Sequence, residues 1–597
     1  MKYSLRQLCC FLVLLLAPGT LLWAQDGSAK PTEKEEEGKK VRFNGLGRTI
    51  LNQTAIDGSV LDSDTSTIQR QTDGEFLLDL ALNATPNDNA EIQAILRLRN
   101  EFGGFFGAGV SVEVRELWAR GIIADAVEYR AGDMDHVMTP YTFFNVEEEG
   151  RINEATAFAP LRDVINYEQF YQEGNTRRIQ GAKLDFGLDF TQILNEIDLN
   201  AFAARIRGTD FFTVPTRFIA GGQAQFSTDV FDDSLGLQAD FGLNLIHTFD
   251  DLRSGNATAG IRNTVTTLSF DVTIIDRDNL GLHLVGETGQ SNLQFKQNRD
   301  SMPDFEEDDT FLDAGLQLHL KPQKLKVGLS FIDVGPDFFS IGAQSKRIDF
   351  EAEKTYYNRL GENRDVRMPS TFDLTRDRAL YTFRLSDRLG VYDPRFSNAL
   401  PYGTATPNRR GLRFNASYGS EADELEVFLD GALLNELRGQ GTFELKSFAL
   451  IRAAANLNIH RWADWKNKLR LTLGYQYEQT NRDGVEVEQI DLTSNLLELG
   501  FEFELFTNFE LLAGAKLLSA SGTEYVPLIE EFNDVRDFPT RLNFDDTETL
   551  IAAGFKYTFK KGIYLTLQYQ SFESQLGTNN PNDYQLQQFF AIYNMNF

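Results

Sequence analysis

Five histidines are the residues best equipped for acid–base or metal chemistry: His136, His247, His283, His319 and His460. They are scattered. No serine, cysteine or carboxylate stands where it would complete a nucleophile–base pair, and no zinc-type ligand spacing occurs. His136 sits beside Asp133 and Asp135 in the run GDMDHV. His283 and His319 fall on inward faces near the ends of adjacent predicted strands, where they are expected to approach each other. A lone inward histidine is the ordinary polar lining of a wet interior. The only cysteines, Cys9 and Cys10, lie in an N-terminal apolar run. The pattern therefore predicts no catalytic residue, no cofactor, no metal and no enzyme.

Binding chemistry is better represented. Between residues 351 and 410 there are ten arginines and one lysine against eight acids, a local +3 in an acidic chain. Tyrosines and phenylalanines are interleaved with them. Arginine forks suit carboxylate or phosphate, and aromatic faces suit sugar rings. Arg376, Arg378, Tyr381, Arg384, Tyr392 and Tyr402 are the candidates for a loop that binds anionic or glycan-like solutes at a lumen or mouth. An external cap held by its own Arg–Asp pairs accounts for the same residues. A second long loop, 135–176, carries Glu147, Glu148, Glu149, Asp163, Glu168 and Glu173; such carboxylates can hold divalent cations, and a solvated acidic loop is the plainer expectation.

The elements that position these residues are strands of one kind. Leu469, Leu471, Leu473, Tyr475 and Tyr477 alternate with Arg470, Thr472, Gly474, Gln476 and Glu478. One face needs oil and the other water. The same phase recurs on both sides of tight turns at 276–279, 321–324, 506–508 and 560–562. Longer connections fall between them, near 51–73, 135–176, 289–309, 334–410, 479–494 and 519–548. Counting strands between the breaks gives 22, within a range of 18–24, and places both ends of the ring on the short-turn side. Inward positions are then expected at Arg97, Arg99, Lys183, Asp185, Asp189, Asp240, Arg413, Glu424, Glu426, Arg470, Glu478, Glu498, Glu502, Glu504, Lys516 and Lys556. Glu502 and Glu504, with Lys516 in the hairpin partner, would form a ladder of opposite charges. Either these charges pair across neighbouring strands, or opposed arcs of them sort solutes by charge.

The chain begins with Lys2 and Arg6, an apolar run over Leu8–Leu16, Pro18-Gly19 and then Leu22-Trp23-Ala24, the layout of a cleaved secretory signal over residues 1–24. Residues 25–40 read as a charged periplasmic tether, and 41–597 as a single barrel. The 58 basic and 87 acidic residues give −29; without Lys2 and Arg6 the balance is 56 against 87, or −31. Nucleic acid is excluded as a partner by that charge. No segment approaches 18 consecutive apolar residues, so a helical span is excluded too. The mean hydropathy of −0.32 fits a barrel, since only every second strand residue meets lipid.

The terminal strand carries the most specific signal. Phe597, Met595, Tyr593, Ala591 and Phe589 share one face, and the chain stops at an aromatic. This resembles the C-terminal signature of bacterial outer-membrane β-barrels, the porin-like channel class. The resemblance implies a transmembrane antiparallel up-and-down barrel in the outer membrane, contact with its lipid, and recognition by the barrel-assembly machinery. A channel for small hydrophilic solutes is the expected function. A non-conducting scaffold for secretion, adhesion or envelope assembly is the alternative, and a hydrolase using His283 and His319 is the third. The short tether leaves no room for a globular plug, so long loops are expected to narrow the lumen.

Overall fold

A computed structural model describes residues 41–58, 70–102, 110–144, 154–160, 163–164, 167, 179–190, 194–209, 215–228, 238–252, 259–297, 305–343, 398–401, 403–439, 441–526, 540–577 and 583–597. The expected signal peptide and tether lie outside these residues. So do the loop candidates Arg376, Arg378, Tyr381, Arg384, Tyr392 and Tyr402, and the run Glu147–Glu149.

Among the described residues there are 22 strands in one antiparallel sheet. The first seven are β1 (Val41–Asp57), β2 (Arg70–Asn87), β3 (Ala90–Glu101), β4 (Val110–Ile123), β5 (Val127–Met134), β6 (Ile179–Asp189) and β7 (Leu194–Arg207). Next come β8 (Thr216–Thr228), β9 (Ala239–Asp251), β10 (Ala259–Asp276), β11 (Leu280–Gln297), β12 (Phe305–Leu320), β13 (Leu325–Val334) and β14 (Arg409–Gly419). The rest are β15 (Leu425–Asn435), β16 (Ser447–Asn458), β17 (Leu469–Arg482), β18 (Ile490–Phe506), β19 (Phe509–Val526), β20 (Thr540–Lys560), β21 (Ile563–Leu576) and β22 (Tyr584–Asn596). Each strand pairs with its sequence neighbours, and β22 pairs back onto β1 from Leu46↔Asn596 to Asp57↔Gln585. The seam is completed where Gly45 N donates to Phe597 O at 2.9 Å and Phe597 N donates to Gly45 O at 3.1 Å. In hydrocarbon no unpaired main-chain edge can be solvated, and closure removes both edges at once.

The outward face records where the lipid ends. Along β19 it reads Phe509, Leu511, Ala513, Ala515, Leu517 and then Ser519, Ser521, Thr523, opposed in β20 by Tyr557, Phe555, Ala553, Ile551 and then Thr549, Thr547, Asp545, Asn543. The apolar part is nine residues long, as a tilted crossing requires. Phe506 stacks on Phe509 and Phe509 on Phe555, with centroids 4.6 and 5.1 Å apart, forming part of an aromatic girdle at the short-turn end.

Several strands run well past this band. β20 has 21 residues, roughly 70 Å of strand against a hydrocarbon core near 30 Å. The connections expected at 51–73, 289–309, 479–494 and 519–548 are therefore shorter than the sequence pattern implies. Their flanks continue the ladder above the membrane, where both faces meet polar surroundings and period-two hydrophobicity is lost. Inside this upper wall the pattern inverts: Leu496 and Leu518 face each other on the inner surface and are buried.

Closure can be tested directly, because residues 41–597 contain no cysteine. Leu51 and Ala591 are directly opposed across the seam, a Cα spacing that a disulfide can bridge. The Leu51→Cys/Ala591→Cys double variant is expected to cross-link on oxidation and to migrate as a circularised chain after denaturation. Failure to cross-link in the folded protein would disprove the seam.

Candidate functional site

A ring of 22 strands spaced about 4.8 Å apart and tilted near 40° is roughly 40 Å across between backbones. Side chains alone cannot fill that width. The β5–β6 connection does cross it, and its described residues meet the inner wall on three separate arcs.

The first arc is β7–β12. Leaving β5, the chain buries Met134 and Phe143 against Phe202, Ile219 and Ile246. His136 stacks between Phe143 and Phe202, with centroids 6.0 and 4.1 Å away. Burial pushes this imidazole down to about 4, helped by Lys183, so it sits neutral among the rings. Thr139 Oγ1 donates to Glu287 Oε1 on β11 at 2.6 Å, and Tyr141 OH donates to Asp313 Oδ2 on β12 at 3.0 Å. The Tyr141 ring stacks on Phe311 at 3.9 Å.

The second arc is β18–β21. Glu154 meets Lys516 Nζ at 2.7 Å. Ala155 N donates to Glu498 Oε1 at 2.6 Å, Thr156 Oγ1 to Glu502 Oε2 at 2.9 Å, and Gln568 Nε2 to Ala157 O at 2.8 Å. The Lys516 ammonium lies 4.6 Å from the Phe158 ring centre. Glycines form the seat. A Cβ on Gly500 would stand 2.5 Å from Ala155 Cβ, and one on Gly514 would stand 2.8 Å from the Phe158 ring.

The third arc is β1–β4, reached by Tyr167. Its ring centre lies 5.5, 5.7 and 3.7 Å from the guanidinium carbons of Arg48, Arg97 and Arg115. Its hydroxyl donates to Asp79, which also takes the fork of Arg97 at 2.8 and 2.7 Å and a bond from Arg115. Arg115 follows outward Val114 and so points inward, and the β3–β4 register slips there, with Ile95 facing Glu116 and Leu96 facing Val114, so that Glu116 turns inward beside it. Burial raises the Tyr167 hydroxyl above its ordinary value, so it stays a donor.

Three arcs this far apart on a closed ring are reachable by one connection only from within. The connection is thus a strap across the lumen. The second footing begins at Lys516, which immediately precedes Leu517, the last apolar outward residue of β19, and reaches down the wall to Gly514 and to Glu502, the ladder partner of Leu512. It thus extends from the outer edge of the apolar band to its middle.

The β13–β14 connection also folds onto the inner wall. Asn263 Nδ2 on β10 donates to Phe339 O at 2.8 Å, and Phe144 N in the strap donates to Gly342 O at 2.8 Å. Farther along, Ala399 N donates to Glu478 Oε1 on β17 at 2.5 Å, while Arg409 Nε and Nη2 hold the carbonyls of Ala399 and Asn398 at 2.8 and 3.0 Å.

The expected lining residues distribute as follows. Glu478, Glu498, Glu502 and Lys516 hold the two in-folded connections. Arg97 and Arg99 pair with Asp79 and Glu75 on β2, Lys183 with Asp185 on its own strand, and Arg413 lies 3.7 Å from Asp313. Glu426 accepts from Asn456 at 3.0 Å, and Arg470 stands between Asn458 and Glu502 in the ladder. Lys556 lies over the Tyr564 ring at 4.7 Å, and Glu504 caps Lys468 N and Asn508 N at the base of β18. Asp189 opposes Glu196, and Asp240 opposes Asp271. Glu424 belongs to the turn before β15, where its N–H bonds Ser420. Lys516 opposes Glu498 and reaches Glu154, while Glu502 is held by Lys468 and Thr156, in place of a Glu502–Glu504–Lys516 ladder. Asp79 and Arg115 escaped sequence reasoning. The signal for Arg115 is its alternation with outward Val110, Val112 and Val114 in β4.

No family model matches the chain, and no curated protein matches it. Among solved structures it is similar to the ferric citrate transporter FecA in its unliganded form, at 10% identity over 93% of this chain and 78% of that one, with a TM-score of 0.46. It is similar to the ferric-catecholate import receptor Fiu from E. coli K12 at 9% identity, covering 93% and 82%, TM-score 0.45. A BenF-like porin from Pseudomonas fluorescens Pf-5 aligns at 7% identity, covering 93% and 99%, TM-score 0.32.

The Glu154–Lys516 contact offers a stability test, since both side chains are almost fully buried. Lys516→Met should lower the unfolding free energy by about 3 kcal/mol by stranding buried carboxylates. Adding Glu154→Gln should recover more than half of that loss in denaturant titrations. Equal stability of Lys516→Met and the parent would show that the strap is not seated there.

Proposed function

We propose that the chain is an outer-membrane channel for small hydrophilic solutes in which the β5–β6 strap forms the constriction. The observation that carries this reading is the strap's three-sided attachment to a polar inner wall by side-chain bonds. A ring built only as a scaffold has no need of a lumen whose width is divided. Outer-membrane lipid meets the apolar band, and the C-terminal strand would be the handle for the barrel-assembly machinery. Diffusion of solutes around the strap, under the control of the charges that hold it, requires no catalytic residue and no cofactor.

The experiment is single-channel recording on purified protein in planar bilayers. Replacing residues 139–176 by a short turn should raise conductance several-fold over the parent while the folded protein keeps its resistance to unheated detergent. A sealed bilayer with both the parent and the strap-deleted variant would reject the channel and favour the scaffold.

A further inference from the structure

His283 on β11 and His319 on β12 do approach each other. They occupy a diagonal pair on the inner wall, since His283 opposes Gln317 and Gly281 opposes His319. Their ring centres are 5.1 Å apart. Two imidazoles bound tetrahedrally to one ion, each with a metal–nitrogen bond near 2.0 Å, place their ring centres about 5 Å apart. Gly281 borders both residues: a Cβ there would stand in ordinary contact with His283 Nε2 at 3.4 Å and His319 Cβ at 3.5 Å, so a larger side chain would enter the space beside the rings.

The far side of His283 is equally ordered. Its Nδ1 lies 3.2 Å from Thr273 Oγ1 and 3.4 Å from Asp271 Oδ1. A carboxylate at Nδ1 favours the tautomer that carries its proton there, which leaves Nε2 with its lone pair toward Gly281 and His319. Outer carboxylates orient metal-bound histidines in this way. Asp271 in turn lies directly opposite Asp240 in the β9–β10 ladder. Two like charges in register on one wall are unfavourable, and a nearby cation relieves them.

We propose that His283 and His319, with Asp271 and Asp240 behind them, form a binding site for a divalent transition-metal ion on the lumen wall at the short-turn end of the barrel. Imidazole ligands select borderline ions such as zinc, copper or nickel over calcium and magnesium. Two protein ligands leave the remaining positions to water, and Lys326, opposite His319 in the β12–β13 ladder, repels the ion. Lys321 is engaged by Asp276 at 2.5 Å. The site is therefore weak and exchangeable, as suits an ion held in a passage. The other histidines are otherwise engaged: His136 lies between phenylalanine rings, His247 Nδ1 meets Thr264 Oγ1 at 2.8 Å, and His460 Nδ1 meets Leu469 O at 3.1 Å.

The test is calorimetric titration of the purified, chelator-treated full chain with zinc chloride in detergent. One saturable site is expected. His283→Ala and His319→Ala should each weaken it more than tenfold. Asp271→Asn, which leaves both imidazoles in place, should weaken it about tenfold, and Gly281→Leu should do likewise by entering the space beside the rings. Folding of each variant is checked by its altered mobility on heating. Absence of saturable binding to the parent, or binding that survives in the His283→Ala/His319→Ala double variant, would overturn the proposal. Neither outcome depends on whether the barrel conducts ions.

Discussion

The bond between Gly45 and Phe597, with the ladder from Leu46↔Asn596 to Asp57↔Gln585, is the condition on which the rest of the molecule stands. A single hydrogen bond contributes little net stability in water, but in hydrocarbon an unmet N–H or C=O costs several kcal/mol. A sheet with lipid on one face therefore closes or does not form. Closing 22 strands fixes a circumference, and the circumference creates an interior too wide for wall side chains to fill. The in-folded connections answer that geometric problem.

Wall and strap are matched in chemistry as well as shape. Each arc that the strap touches offers charged or hydroxyl groups within a few ångströms of an apolar or glycine seat: Glu287 and Asp313 beside Phe311, Glu498 and Lys516 beside Gly500 and Gly514, and Asp79 among Arg48, Arg97 and Arg115. Removed from bulk water, these charges gain little net from pairing but cost several kcal/mol if one is left alone. The strap completes them. Other inward charges pair along the wall away from these landings, as Arg452 does with Asp430 and Lys183 with Asp185.

The lipid-facing half of the architecture was legible in the sequence because lipid leaves no freedom. Phe509 to Leu517 and Ile563 to Tyr569 must alternate, and turns such as Lys560-Lys561-Gly562 must punctuate them. The strand count and the closure follow from that rule. Above the membrane the rule lapses. Strand ends near Ser519 and Thr547 look like loop, and Leu496 and Leu518 turn inward where an outward-apolar reading fails. The strap was legible only as a long polar connection, since polar residues suit a wet lumen and open solvent alike. Its partners lie far along the chain, and no local period reveals that Glu154 awaits Lys516. The meeting of His283 and His319 was legible because both lie on one hairpin, where register is set by the turn.

The placement of the strap's second footing has a consequence for biogenesis. Ala155 bonds Glu498, Thr156 bonds Glu502 and Gln568 bonds Ala157, across sequence separations of 343, 346 and 411 residues. A chain that enters the bilayer as hairpins cannot seat residues 154–158 until β18 to β21 stand in place. The segment between β5 and β6 must wait as a loose end through most of the insertion process, and it locks only as the ring shuts. Seating the strap is thus a late, long-range event that reports completion of the whole barrel, so a nascent ring missing its final strands would lack this footing.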